Sequence, residues 1–334
     1  MALFKNVDDI KRFLAGNQKN LSENTIMPFV EQAEIRYIIP VIGNEFFTEL
    51  DEYYNPAEGD TPEANSKLDL AIARIQRSLA YYTLLDALPF LNVTVGNIGV
   101  QESNSEKSSP VRQWSYVELI TTTTENADTF LDNALEFLEK KADDYTTWKE
   151  SDAYTQSKEL FINNAKELSK YLLTNNSRRV YLALRPFIAR AEDLYIKPAI
   201  GTELFAEMKA YVLDSEQPEP YQPIVYGLIQ KALAQLTLFL SIPEVQFVTT
   251  GFGLKLQGQM LAAGNKLTPA LADIGPIKEN AWQLADRYLT ELKRYLDENA
   301  ATIETYQNST VYKSTTRRRY QLPDNSNSNS FRVK

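Results

Sequence analysis

Residues 28–53, PFVEQAEIRYIIPVIGNEFFTELDEY, and residues 186–211, PFIARAEDLYIKPAIGTELFAEMKAY, are two copies of one segment. At a constant offset of 158 they are identical at 13 of 26 positions, where unrelated segments of average composition share roughly 2. The identities include Glu34/Glu192, Tyr37/Tyr195, Pro40/Pro198 and Gly43/Gly201. At an offset of 154, IQRSLAYYTLLDALP (75–89) matches IQKALAQLTLFLSIP (229–243), the second copy being four residues shorter in the loop after Tyr53. The same offset pairs Gly99 with Gly253, and ENADTFLDNALEFL (125–138) with ENAWQLADRYLTEL (279–292). Upstream, LFKNVDDIKRFL (3–14) resembles LFINNAKELSKYL (160–172) with one insertion. Two copies are too few for a solenoid. The reading is two similar domains in tandem, 1–157 and 158–320, followed by a polar tail, 321–334.

Because the halves can be compared, each element is read twice. VDDIKRFL and AKELSKYL carry apolar residues at helical spacing, which predicts a short opening helix. Phe29, Val30, Ala33, Tyr37 and Ile38 form one stripe, matched by Phe187, Ile188, Ala191, Tyr195 and Ile196, so this helix faces a core. Pro40 or Pro198 is expected to end it. Gly43 or Gly201 then supplies a turn, and Asn44 or Thr202 is expected to cap the next helix, with Glu45 or Glu203 in its first turn. The longest helix follows, apolar nearly all round and stopped by Pro89 or Pro243. NVTVGNIGVQ (92–101) and VQFVTTGFGLKLQ (245–257) are β-branched, alternating and broken by glycine, which predicts a strand or hairpin. ESNSEKSSPVR and GQMLAAGNKLTPA read as exposed loops, and a last amphipathic helix closes each unit. The fold class is mainly α: two tandem helical bundles of about five helices, each with a small β-hairpin insertion before its last helix.

Composition narrows the function. The chain of 334 residues has no cysteine and no histidine. That removes thiolate nucleophiles, zinc–sulfur and iron–sulfur sites, imidazole bases and Ser-His-Asp triads. The 35 basic against 44 acidic residues leave a net charge of −9, which argues against coating nucleic acid or an anionic membrane. No apolar run approaches the ~20 residues of a membrane span. The start, MALFKNVDDIKRFL, carries acids early, unlike a secretory signal. These features point to a cytoplasmic origin.

The carboxylates kept in both halves are Glu34/Glu192, Glu45/Glu203 and Glu49/Glu207. A pair of them would suit acid–base work or a Mg²⁺ site. The commoner role is a helix N-terminus or a solvated, ion-paired face, and that is the expectation. GNIG and GFG lack the spacing of a phosphate loop. Arg317, Arg318 and Arg319 form the one basic run, expected to be a solvated charge run, and Phe331, Arg332 and Val333 end a tail expected to be disordered. Tyr37, Tyr53, Tyr81 and Tyr82 lie at helical spacing and read as packing residues. The sequence predicts no catalytic residue, no metal ligand and no cofactor. Strand segments that lack partners inside a small helical unit invite pairing with a neighbour. The candidate interface residues are Val93, Val95, Gly96 and Gly99, with Phe247, Thr249, Gly251 and Gly253.

The run AE-x-x-Y-I-x-P-x-I-G-x-E-[FL]-F-x-E-[LM], at 33–50 and 191–208, is preceded by a short helix and followed by a long apolar helix and a glycine-containing strand. In this it resembles the head–tail connector (adaptor, head-completion) proteins of tailed phages. The chain departs from that family in being doubled. The resemblance implies a structural virion protein and not an enzyme. Copies would form a ring between portal and tail, assembled in the bacterial host cytoplasm and placed at the head–tail junction. The ring would extend a channel through which DNA passes without sequence-specific binding, and it would touch the portal and tail or further connector proteins, but no membrane. Glu34, Tyr37, Pro40, Gly43 and Glu192, Tyr195, Pro198, Gly201 are then structural motif residues. The competing class is a soluble bacterial helical scaffold with two similar binding surfaces. On the connector reading, segments 92–113 and 246–268 contact neighbours or the portal. Deleting 95–110 is expected to leave a folded helical protein, by circular dichroism, that no longer forms rings. Rings formed by that variant would sink the assignment.

Overall fold

The computed structural model describes residues 3–14, 21–57, 64–91, 93–96, 99–102, 112–213, 218–245, 247–250, 253–256 and 271–313. The first unit contains α1 (Val7–Lys11), α2 (Glu23–Ile26), α3 (Pro28–Ala33), α4 (Ile39–Ile42), α5 (Asn44–Tyr54), α6 (Ser66–Leu91), the strands β1 (Val93–Gly96) and β2 (Gly99–Glu102), α7 (Gln113–Lys140), α8 (Thr146–Lys149) and α9 (Asp152–Ser157). The second contains α10 (Ala165–Ser169), α11 (Arg178–Ala191), α12 (Lys197–Ile200), α13 (Thr202–Leu213), α14 (Gln222–Ser241), β3 (Phe247–Thr250), β4 (Gly253–Leu256), α15 (Leu271–Glu298) and α16 (Glu304–Gln307). The fold is mainly α in two similar units. The opening helices are capped by equivalent asparagines: Asn6 accepts from the backbone of Asp8 and Asp9, and Asn164 from Glu167.

Each unit has its own core. Ile38, Ile42, Phe46 and Leu50 are fully buried in the first, and their counterparts Ile196, Ile200, Leu204 and Met208 in the second. Burying each such side chain stabilises by about 1.5–3 kcal/mol. The long helices α6 and α14 cross the middle of each core, packed on α7 and α15. One expectation changes here. Gln222–Ser241 is long and apolar enough to cross a membrane by length and composition, yet more than half of it is buried inside the second unit, as befits a core helix.

The proline at the motif does not end the helix. Between α3 and α4, residues Glu34–Ile38 form a π-helical turn, and Glu192–Ile196 do the same between α11 and α12. In the interior of a continuous helical path a proline lacks the ladder N–H and crowds the carbonyl four residues back. Widening the turn by one residue lets the helical path run on through Pro40 and Pro198. The path stops instead at Gly43 and Gly201, whose φ angles are 82° and 87°. Neither the expected Asn44 cap nor a side-chain bond is used; α5 starts straight after Gly43. Pro89 also lies inside α6, which runs to Leu91.

The repeat alignment needs one correction. α7 and α15 are both 28 residues long and stand 158 apart, not the 154 suggested by the shared ENA tripeptide. After them, Trp148 stacks edge-on with Tyr154, and Tyr306 with Tyr312, again 158 apart. The four residues missing before α14 return between β4 and α15. The opening segments also match at 158 with no insertion, Asn6 with Asn164.

The tyrosines do pack: Tyr81 and Tyr82 are buried and Tyr37 stacks on Tyr82 at 4.1 Å. Residues 103–111 and 257–270, Gly251, and the tail with Arg317–Arg319 and Phe331–Val333 lie outside the described residues.

The glycine corner is tight. A Cβ at position 43 would sit 3.1 Å from the Ser151 Cβ, and one at position 201 would sit 2.9 Å from the Ser309 Cβ. Gly43→Ala and Gly201→Ala are each expected to lower stability by about 1–3 kcal/mol, from positive φ plus the clash. Thermal unfolding checks this, and an unchanged midpoint would mean that the corner can relax.

Candidate functional site

The shared carboxylates divide. Glu45 and Glu203 are exposed in the first turns of α5 and α13, as expected. Glu34 and Glu192 are buried, against expectation. Both open the π-helical turn, and each takes the opening segment of its own unit as its partner. Glu34 Oε1 accepts from the Leu3 amide at 2.7 Å, and Glu192 Oε1 from Phe161 at 2.6 Å. The same two residues are held from the other side. Gln76 Nε2 donates to the Leu3 carbonyl at 2.6 Å, and Gln230 Nε2 to Phe161 at 2.9 Å. A buried backbone N–H and C=O thus both find partners. This clip joins the start of the unit to its π turn and its central helix.

The clips differ electrically. Beside Glu34 stands the buried carboxylate Asp51, and beside Glu192, at the equivalent position, stands Lys209, which donates to it. Burial pushes the Glu34 carboxyl up to about 7, the Leu3 amide opposes this, and Asp51 adds to it. Burial also raises Glu192, with Lys209 pulling it back down. Glu207 is taken up by Tyr221, Gln222 and Thr305, which donate to it. Among the described residues no group of three His, Cys, Asp or Glu side chains is placed to hold a metal.

The other motif residues build the corner. Tyr37 donates to Asp86 at 3.1 Å, and Arg36 pairs with the same carboxylate at 3.0 Å. Tyr195 instead meets Trp282 edge-on. The two units part here because Tyr82 and Asp86 of α6 correspond to Leu236 and Leu240 of α14. The candidate interface residues of the first unit lie on a strand pair: Val93 opposes Glu102, Val95 opposes Val100, and Gly96 opposes Gly99. In the second, Phe247 opposes Leu256, Thr249 opposes Leu254, and Gly253 opposes Thr250. Both ladders are antiparallel and two-stranded.

Sequence reading missed the contact between the units. Acidic residues along α7 meet basic residues at the start of the second unit. Arg178 pairs with Asp132, Lys166 with Glu136 at 3.0 Å, and Lys158 with Glu139 at 3.4 Å. Arg179 Nε lies 3.2 Å from Asp128, close enough for an ion pair but not aligned as a hydrogen bond. Asp128 also accepts from the buried Tyr82 at 2.6 Å, so the junction reaches into the first core. A cleft of about 610 Å³ lies along this junction, with Pro40 and Val41 on one side and Leu182 and Arg185 on the other. The periodic acids at 128, 132, 136 and 139 were the available signal, since they mark one face of a helix. The contact is heterologous: the last helix of one unit meets the opening helices of the next.

The Glu34 clip carries a pH signature. Unfolded, this carboxyl titrates near 4.5, and folded near 7. The folded state holds the proton through that window, so the group's contribution to stability falls as pH rises from 4.5 to 7. Glu34→Gln keeps an acceptor for the Leu3 amide without the charge. Its melting temperature is expected to lose that part of the decline, with the largest gain over the parent above pH 7. Identical slopes for both proteins would refute the assignment.

Comparison with curated proteins finds no match, and neither does comparison with solved structures. A family profile matches the chain twice, over residues 38–158 and 196–316, well over half of its length. Both matches begin at the buried isoleucine that ends the π turn, and the 158-residue offset between them is that of α7 and α15. The chain therefore belongs to the family of unknown function DUF6712, with the family's domain present twice in tandem.

Proposed function

We propose that this protein is a structural assembly component, a connector between the portal and the tail of a tailed phage. The observation that carries the assembly part is the heterologous junction. Two copies of one fold are joined end to opening face through a row of ion pairs, Arg178–Asp132 and Lys166–Glu136 among them. Such contacts propagate, and they close into rings when the rotation allows. The virion part rests on the likeness of residues 33–50 and 191–208 to connector proteins. The absence of histidine and cysteine favours architecture over catalysis. The strands at 93–102 and 247–256 are the proposed contacts to neighbours or portal, and DNA is the proposed cargo of the channel.

The test is negative-stain microscopy of the purified protein, alone and mixed with the portal protein encoded in the same genome. A ring stacked on the portal is the expected outcome. A protein that ignores the portal would overturn the virion reading and favour a soluble scaffold with two binding surfaces.

A further inference from the structure

We propose that the outer face of α15 is the docking surface for the opening helix of a second copy of this chain, in the manner that α7 receives the second unit. This deepens the assembly part of the function proposed above and rests on it. Three observations support it.

The first is exposure. On α7, Asp128 is buried, and Asp132, Glu136 and Glu139 are half-buried against the second unit. Their counterparts on α15, Asp286, Thr290, Arg294 and Asp297, are all exposed. The face that is covered on α7 is the face that is left open on α15.

The second is charge. Within the chain, Glu136 pairs with Lys166. At the equivalent positions, 158 apart in each case, stand Arg294 and Asp8. Both ends of the pair are reversed together, so Arg294 of one copy and Asp8 of the next remain complementary. Asp8 is free to serve: its side chain is 80% exposed, and its ion pair with Lys11 is a local one on the same helix. Arg294 makes no ion pair among the described residues. A rim pair of this kind fixes partner and register more than affinity. The reversed polarity also sorts the contacts, since the opening helix of a second unit placed on the α15 face would set Lys166 against Arg294.

The third is continuity of the fold beneath the surface. Asn6 and Asn164 cap α1 and α10 alike, and the Glu–Gln clip holds both opening segments. The first unit therefore offers a neighbour the same scaffold that the second unit offers α7.

The experiment exploits the absence of native cysteine. Asp8→Cys and Arg294→Cys are made in separate full-length chains, and each is treated with a short bis-maleimide, alone and in an equal mixture. The mixture is expected to give a covalent dimer at least tenfold more abundant than either variant alone. A Glu136→Cys/Lys166→Cys chain is the positive control, linking internally without a change in chain number. Dimers of equal yield from one variant alone would show an isologous contact and overturn the proposal, as would a mixture that stays monomeric. A charge test runs beside it: Asp8→Lys and Arg294→Glu should each weaken self-association in sedimentation, and mixing the two should restore it. Unchanged association in the single variants would overturn the proposal. All of this uses the purified chain alone, so its failure leaves the portal experiment able to succeed, and the reverse.

Discussion

A proline inside a helical path sets the terms for the rest of each unit. Before Pro40 and Pro198 the turn opens into a π-helix, which accommodates a ring that has no N–H to give and would crowd the preceding turn. The first residue of that turn is a glutamate in both units, and both glutamates are buried. A buried carboxylate needs donors. It finds the amide of Leu3 or Phe161, and the central helix supplies a glutamine to the carbonyl of the same residue. The opening segment, the motif and the core helix are thereby fixed to one another. Beyond the proline, the path ends at a glycine pressed against a serine, Ser151 just after α8 or Ser309 just after α16.

The two corners are alike in backbone and unlike in charge. The first sets Asp51 beside its glutamate, and the second sets Lys209 there. The first core also carries Tyr82 and Asp86, where the second carries leucines. Tyr82 reaches Asp128, and Asp128 reaches Arg179, so the extra polarity of the first unit runs out to the surface that receives the second. Buried polar groups are costly unless satisfied. Here Asp86 is met by Arg36 and Tyr37 inside the first unit, and Asp128 by Tyr82 and by Arg179 of the second.

Much of this architecture is legible in the sequence. The duplication, the apolar stripe of Val30, Ala33 and Ile38 and the depth of the long helix follow from periodicity and comparison of the halves. Gln76 and Gln230 stand in the repeated IQ pair, and Glu34 falls four residues after Val30 and four before Ile38. Its burial was therefore marked by position, and residue type alone hid it. The π turn is harder to foresee, because proline more often ends a helix than widens one. The shift of the last helix from 154 to 158 is one helical turn, and such a shift preserves the apolar face almost unchanged. Only the helix ends and the aromatic pairs after them distinguish the two registers. The junction between units depends on charges brought together by the fold, and no local pattern pairs α7 with Arg178.

The heterologous junction has a consequence for symmetry. Two units per chain, joined by the geometry that would also join chains, make every closed assembly even-numbered in units. Stations around it would alternate in character, acidic rows covered inside each chain and mixed rows between chains. Such an object has a true rotation axis of half the order that its outline suggests. A partner that reads only the backbone outline would meet the higher order, and one that reads side-chain charge would meet the lower.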